Sequence, residues 1–411
     1  VTDDTAALKK ALQEHAVVYL PTGKYLVSGT LRLRADGVLI GLHPATTLLV
    51  AGPEATAFKG LGAPTPILAT ASGGAARVSG VGIDMGVLPR VAGIDWRAGS
   101  QSMVSDVCFT SLHSARGERP AAENPALWDT QSHSLWVRDG GGGTFLNIWT
   151  ANTNARSGVY ISNTKTAGRI YALSAEHHVH REVRIERSAN WSFYGLQTEA
   201  EGDEGPEALQ IEIRESRDLV FANTFMYRVS RTRKPYDTAI ETTDCDNLQF
   251  RGLHVFSPTK FAYDHALRDT STGRAENGRE WASLTLNRAA QPPRAQMPGV
   301  EVNRLASGFE SIDCLATTPA GGLTFMDGRE SRLYEWTEKT GTRLVTETPV
   351  RQTVFVAHPE LADRALVARN GTVFSLSEKP GEGLAIAPLE KISRAALDAE
   401  KLTWVRPVGL Y

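Results

Sequence analysis

The chain has 411 residues, with 44 Lys and Arg against 46 Asp and Glu, for a formal net charge of −2. That length buries a large core and accommodates more than one domain. The near-neutral balance gives no electrostatic basis for binding nucleic acid or an anionic membrane, and no apolar run reaches the ~18 residues that span a bilayer.

The opening, Val1-Thr2-Asp3-Asp4, reads as the interior of a motif, so a targeting segment is expected upstream or already removed. Asp3-Asp4-Thr5 followed by Ala6, Ala7, Leu8, Ala11 and Leu12 predicts an N-capped amphipathic helix with acid at its positive end. Short strands follow at Val17 to Leu20, Tyr25 to Val27, Leu31 to Leu33 and Val38 to Gly41, the first stopped by Pro21-Thr22-Gly23. A helix leading into closely spaced strands is how a solenoid covers its open end.

Beyond this the chain repeats itself. Val78-Ser79-Gly80-Val81-Gly82-Ile83 recurs as Val104-Ser105-Asp106-Val107-Cys108-Phe109. Ser188-Ala189-Asn190-Trp191, Ser216-Arg217-Asp218-Leu219 and Cys245-Asp246-Asn247-Leu248 form a second recurrence, each a polar turn before an alternating strand. A period in the twenties without helical pattern predicts coils of a right-handed parallel β-helix, and a β-propeller would need longer steps. The fold expected is all-β, a pectate-lyase-like solenoid over residues 1–298 and an antiparallel segment over 299–411 resembling part of a gluconolactonase-type propeller.

Ser111 to Ser134 reads as a long excursion from one coil, and Phe256 to Pro298, with Asp269-Thr270-Ser271-Thr272-Gly273 and Pro292-Pro293, as the solenoid end and a linker. Gly140-Gly141-Gly142-Gly143 lacks a following Lys-Ser/Thr and a helix, so it predicts a turn between coils rather than a phosphate loop. Cys108, Cys245 and Cys314 are far apart and form no metal motif or disulfide framework, which marks them as isolated core residues.

Strand alternation then selects the chemistry. With Leu173 and Ala175 inward, Ser174, Glu176 and His178 face out; with Tyr194, Leu196 and Thr198 inward, Gln197 and Glu199 face out. Glu176 and Glu199 stand about one coil apart, so two carboxylates face one groove, as glycosidic hydrolysis requires. Close like charges raise one pKa and preserve a protonated general acid. His177 and His178 lack a third ligand at suitable spacing, so no metal is expected; a histidine supporting a carboxylate or buried in the wall fits better. Trp128, Trp136, Trp149 and Trp191 fall in or near these coils and serve either sugar stacking or core filling.

At these residues the sequence resembles glycoside hydrolase family 55, the β-1,3-glucanases built from two β-helices. The resemblance rests on Thr2-Asp3-Asp4-Thr5-Ala6-Ala7-Leu8, Ser134-Leu135-Trp136-Val137, Asn147-Ile148-Trp149, Ser174-Ala175-Glu176-His177-His178 and Gln197-Thr198-Glu199. It covers about Val1 to Asn287 and corresponds to the family's second helix. It implies an exo-acting, inverting glycosidase without cofactor, secreted or periplasmic, acting on a polysaccharide or oligosaccharide. Glu199 is then the general acid and Glu176 holds or activates the water. Trp149, His177, His178, Gln197, Tyr194 and Asn152 line the substrate site. The family carries an acidic residue where this chain has Asn152 and Asn154, and it draws further water-positioning groups from a first β-helix. That helix would lie upstream or on a partner chain. Two other readings stay open: a polysaccharide lyase, for which Asp244 and Asp246 are the candidate cation ligands, and a glycan-binding module without catalysis.

Overall fold

The computed structural model describes residues 2–59, 62–86, 88–111, 131–151, 155–200, 208–228, 236–257, 263–277, 280–287 and 305–306, with strands of the C-terminal region between 312 and 388. The chain divides into two compact units, 1–60 with 64–294 and 61–63 with 295–411.

The first unit is a parallel β-solenoid. One sheet runs from Val17–Leu20 through Val38–Gly41, Arg77–Ser79, Met103–Thr110, Gly143–Thr150, Gly168–Glu176, Ala189–Ala200 and Arg217–Arg228 to Asp246–Phe256. The other runs from Leu31–Leu33 through Thr65–Thr70, Val91–Trp96, Gln131–Arg138, Ala155–Ser162, Arg181–Glu186, Leu209–Arg214 and Tyr236–Thr243 to Tyr263–Asp269. The recurrences seen in the sequence are register partners: Val78 pairs Val104, Ala189 pairs Arg217 and Arg217 pairs Asp246.

Inward positions stack like on like. Val104, Phe145, Ile170, Phe193, Phe221 and Phe250 form one buried ladder, and Ile94, Leu135, Val159, Val183, Ile211 and Ile240 form the facing one. Phe193 lies on Phe221 with centroids 4.6 Å apart, and Phe221 on Phe250 at 5.1 Å. Each such ring removes its whole side chain from water, which stabilises the coil by about 2 kcal/mol or more. Trp191 joins this core, settling it as filler; a Cβ on its register partner Gly168 would stand 2.4 Å from the indole.

The bends are made by left-handed residues stacked from coil to coil. Gly80, Asp106, Asn147, Ala172, Gly195, Asn223 and Gly252 all have positive φ and occupy one register column in the first sheet. Asp139, Asn163, Arg187, Glu215 and Asp244 form a second column at the turn between sheets. Asn and Gly suit this backbone best, and the side chains link the coils: Asn147 Nδ2 donates to Asp106 Oδ1 at 2.8 Å. In the Arg77 to Asp84 coil the strand is interrupted here; in later coils it runs through the bend as one long strand.

The predicted helix is Thr5–Glu14, burying Leu8 and Leu12 over the first coils. Asp4 stands at the N-cap but its side chain turns away: Asp3 Oδ1 accepts the Thr5 N–H at 2.9 Å, while Asp4 Oδ2 accepts from Leu26 N at 3.0 Å. Gly140 to Gly143 make the expected turn into Gly143–Thr150. Residues 112–130 of the expected excursion, and Pro292-Pro293, lie outside the described residues.

The expected linker is partly solenoid. Tyr263–Asp269 pairs parallel with Tyr236–Thr243, and Asp269 to Gly273 turn the chain into the antiparallel strand Arg274–Glu276. Glu280–Leu286 pairs antiparallel with Asp246–Phe256 and ends the first sheet. A reversal of direction needs only a short connection, whereas another parallel coil needs a full circuit. Cys245 packs against the core, and burial pushes its thiol up to about 12. Cys108 instead alternates with buried Val107 and Phe109 and points outward; burial by neighbours still raises its thiol to about 11. Cys314 has no described side chain.

The second unit contains two antiparallel four-stranded meanders, Ile312–Thr317 to Gly341–Glu347 and Val354–Val356 to Gly383–Pro388.

Candidate active site

The two acids are direct register partners. Glu176 ends Gly168–Glu176, Glu199 lies near the end of Ala189–Ala200, and the ladder places them opposite each other on the outer face. Parallel pairing at ~4.8 Å per coil puts the side chains of such partners close together. One oxygen of each carboxylate and a ring nitrogen of His177 all lie within 4.8 Å of one another.

Hydrogen bonds hold Glu176 charged. Burial works to raise its pKa, but hydrogen bonds from His177, Ser174 and Trp149, with the His177 charge, outweigh that and leave it below the usual glutamate value. The His177 Nε2 stands 3.6 Å from Glu176 Oε2. Ser174 Oγ lies 2.5 Å from Glu176 Oε1 and 2.5 Å from Gln197 Oε1. A hydroxyl has one proton to give, so this arrangement is complete when Ser174 donates to Glu176 and the Gln197 amide group turns its N–H to Ser174.

Two predicted orientations need correction, both for the same reason. Tyr194 faces outward, stacked on Tyr171 with centroids 5.0 Å apart, because Gly195 at φ +72° spends one residue on the bend and resets the alternation. His178 is fully buried rather than outward, since His177 at φ +65° ends the strand. Its Nε2 lies 2.9 Å from Thr150 Oγ1 and its Nδ1 is bonded to the buried Glu182 carboxylate. His178 therefore braces the wall behind Trp149 and touches no outer groove. His180 is buried as well.

Trp149 is half exposed and shares a register column with Ser174 and Gln197. Trp136 sits on the other sheet, stacked on Tyr160 with Arg138 over its ring at 3.8 Å, and does not reach the acids' face. Asn152, Asn154 and Trp128 lie outside the described residues. The structure thus brings together Glu176, Glu199, His177, Gln197 and Trp149, with Tyr194 across the bend.

Sequence reasoning missed Ser174 as the bridge, and it missed the aromatic column beyond Gln197. Phe225 and His254 continue the Trp149-Ser174-Gln197 column, while Tyr227 and Phe256 continue the Glu176-Glu199 column. Stepping on from Gln197 and Glu199 by the later coil period would have reached all four.

Among the described residues, the one group with metal-ligand geometry is Glu176, His177 and Glu199, and it includes neither Asp244 nor Asp246. No described helix is long and apolar enough to cross a membrane. The facing oxygens of the two acids lie within 4.8 Å of each other. Adjacent in-register coils impose this closeness.

Residues 1–200 match a family described as rhamnogalacturonase A/epimerase, pectate lyase-like. Over those residues the chain thus has a pectate-lyase-like β-helix fold. No curated protein matches the chain. Among solved structures, the Azotobacter vinelandii mannuronan C-5 epimerase A-module aligns with a TM-score of 0.37 at 11% identity, over 66% of this chain and 89% of that one. Tailspike protein 2 of bacteriophage CBA120 aligns at 0.45 and 10%, over 95% and 68%. A polygalacturonase from Erwinia carotovora aligns at 0.34 and 12%, over 65% and 88%.

Proposed function

We propose that this chain hydrolyses a β-glucan, β-1,3-linked by the resemblance to family 55, in a secreted or periplasmic setting. The observation that carries this reading is the in-register pair Glu176 and Glu199 on the outward face of the solenoid. Residues 1–298 carry the acid pair. Substrate binds against Trp149, His177, Gln197 and Tyr194, all near the acids.

Two carboxylates so close resist ionising together. With Glu176 held ionised by its donors, the general-acid role falls to Glu199, as the resemblance to family 55 implies. Glu199 then protonates the glycosidic oxygen, the leaving group departs as an alcohol, and an oxocarbenium-like centre develops at the anomeric carbon. The charge on Glu176 stabilises that centre at short range.

The distance favours a second stereochemical reading. Oxygens within 4.8 Å of each other suit a pair in which Glu176 attacks the anomeric carbon and forms a glycosyl ester, which water deprotonated by Glu199 then hydrolyses, with net retention. Inversion instead requires a group besides Glu176 to activate water on the far face of the sugar. Proton NMR of the first-formed anomer separates the two.

Glu199→Gln is the deciding experiment. It keeps the size of the side chain and removes the transferable proton, so sugar release from laminarin should fall by a factor of about 10²–10⁴. Unchanged release would reject the hydrolase. Product absorbing as an unsaturated uronate from a polyuronate substrate would assign a lyase, and oligosaccharide binding without turnover would leave a binding module.

A further inference from the structure

Beyond the acid pair, the next outward positions on two successive coils are aromatic. Phe225 pairs Gln197 and Tyr227 pairs Glu199; His254 and Phe256 follow them one coil on. Phe225 and His254 stack with centroids 5.1 Å apart and planes within 8°. Tyr227 and Phe256 do the same at 5.8 Å and 10°. Rings this close and this parallel meet face to face. The stack therefore runs along the solenoid axis, and its near end, Phe225 and Tyr227, borders the coil that carries Gln197 and Glu199.

These rings are not core. Phe225 is 39% exposed and Phe256 41%, while the inward ladder on the same strands is Phe221 and Phe250. Trp149, 49% exposed, stands at the opposite end of the column. Between Trp149 and Phe225 the two columns hold only Ser174, Gln197, Glu176 and Glu199. The span is three coil steps, about 14 Å, the length of a short oligosaccharide. A polar, acid-bearing interval is thus bounded at both ends by aromatic surface.

The charge pattern selects the occupant. No Lys or Arg occupies either column from Trp149 to Phe256. Arg251 lies across the bend at Gly252, bonded to Gln249. Among the described residues of these two columns a uronate would meet two carboxylates and no Lys or Arg, whereas the C–H face of an uncharged pyranose fits an aromatic surface.

We propose that Phe225 and Tyr227, backed by His254 and Phe256, form a subsite for an uncharged pyranose of the same glycan whose linkage lies between Glu176 and Glu199. The glycan then runs along the solenoid axis, crossing the coils. This assignment rests on the hydrolase reading of the acid pair, and it adds residues that neither the resemblance nor the family match supplies.

The test separates the two. Unbranched β-1,3-gluco-oligosaccharides of two to six units, and oligogalacturonates of the same lengths, are titrated calorimetrically into the Glu199→Gln protein with and without Phe225→Leu or Tyr227→Leu. Leucine keeps the apolar contact with the strand and removes the ring, and circular dichroism checks the fold. The expected result is affinity for the gluco-oligosaccharides that rises with length, no binding of oligogalacturonates, and about a tenfold loss for the longer chains in either ring variant. In the active protein the same variants lower kcat/KM for the pentasaccharide and flatten its dependence on length. Hydrolysis with unaltered length dependence in both ring variants overturns the subsite and leaves the hydrolase standing. Loss of binding in the ring variants of a chain that never turns over substrate overturns the hydrolase and leaves the subsite. Preferred binding of oligogalacturonates overturns the choice of an uncharged sugar.

Discussion

Ser174 and Gln197 face each other across one coil step, with the serine hydroxyl 2.5 Å from the glutamine side-chain oxygen and equally close to Glu176 Oε1. One small side chain thereby ties the charged acid to the strand that carries its partner.

Removing that tie should move a pH limb. Glu176 is held below its usual pKa, so it remains ionised well into acid. Ser174→Ala removes one of the donors and leaves burial to act, which raises the value. The acid limb of kcat/KM is expected to shift to higher pH, read from a profile between pH 3 and 7 on laminarin. His177→Ala is expected to shift it in the same direction.

The same depression affects folding. A carboxylate whose folded pKa lies below its unfolded value contributes stability that is present above the unfolded value and is lost as pH falls through the folded one. The Glu176 contribution is therefore complete at neutral pH and disappears below ordinary carboxylate pH. Glu176→Gln is expected to reduce the acid dependence of the melting temperature in that window, followed by calorimetry from pH 7 to 3.

His178 is expected to behave as a structural residue. It is buried and joined to both Thr150 and Glu182, so His178→Ala removes the imidazole from a buried carboxylate and leaves it the backbone N–H of residue 178. The loss is about 3 kcal/mol. Thermal denaturation checks it, and the fraction that stays folded should retain its KM.

The bend column offers a paired test. Ala172 and Gly195 are register partners, both with positive φ, at +55° and +72°. Ala172→Gly relieves a left-handed alanine and is expected to stabilise the protein by about 1 kcal/mol; Gly195→Ala should cost about as much. A Cβ at Gly195 meets nothing nearer than 3.9 Å, so the cost is one of backbone alone. Urea unfolding measures both.

A chelator should leave sugar release unchanged, because the proposed chemistry moves protons between Glu199 and the substrate. Added Zn²⁺ should inhibit, since Glu176, His177 and Glu199 offer three ligand atoms close together. Loss of activity on EDTA treatment would reassign the cluster as a metal centre.

The coil repeat, the inward ladders and the acid pair were legible in the sequence because each coil brings like residue types into register. Tyr194 and His178 were misread because strict alternation fails at a left-handed residue. Gly195 and His177 occupy that backbone, and histidine carries no signal for it comparable to that of glycine. Ser174 was unreadable for another reason: its role depends on where Glu176 of its own strand and Gln197 of the next coil point, which pairing alone does not specify.

Coil length varies in one place above all. Only two residues join Arg181–Glu186 to Ala189–Ala200, and the same holds at Leu209–Arg214 to Arg217–Arg228 and at Tyr236–Thr243 to Asp246–Phe256. The opposite junctions hold twenty residues after Thr110, four after Glu176, eight after Ala200 and seven after Arg228. The solenoid thus tolerates insertion beside the acids without disturbing the pairing of any rung. Selectivity for branch points or chain ends can evolve there while the catalytic register stays untouched.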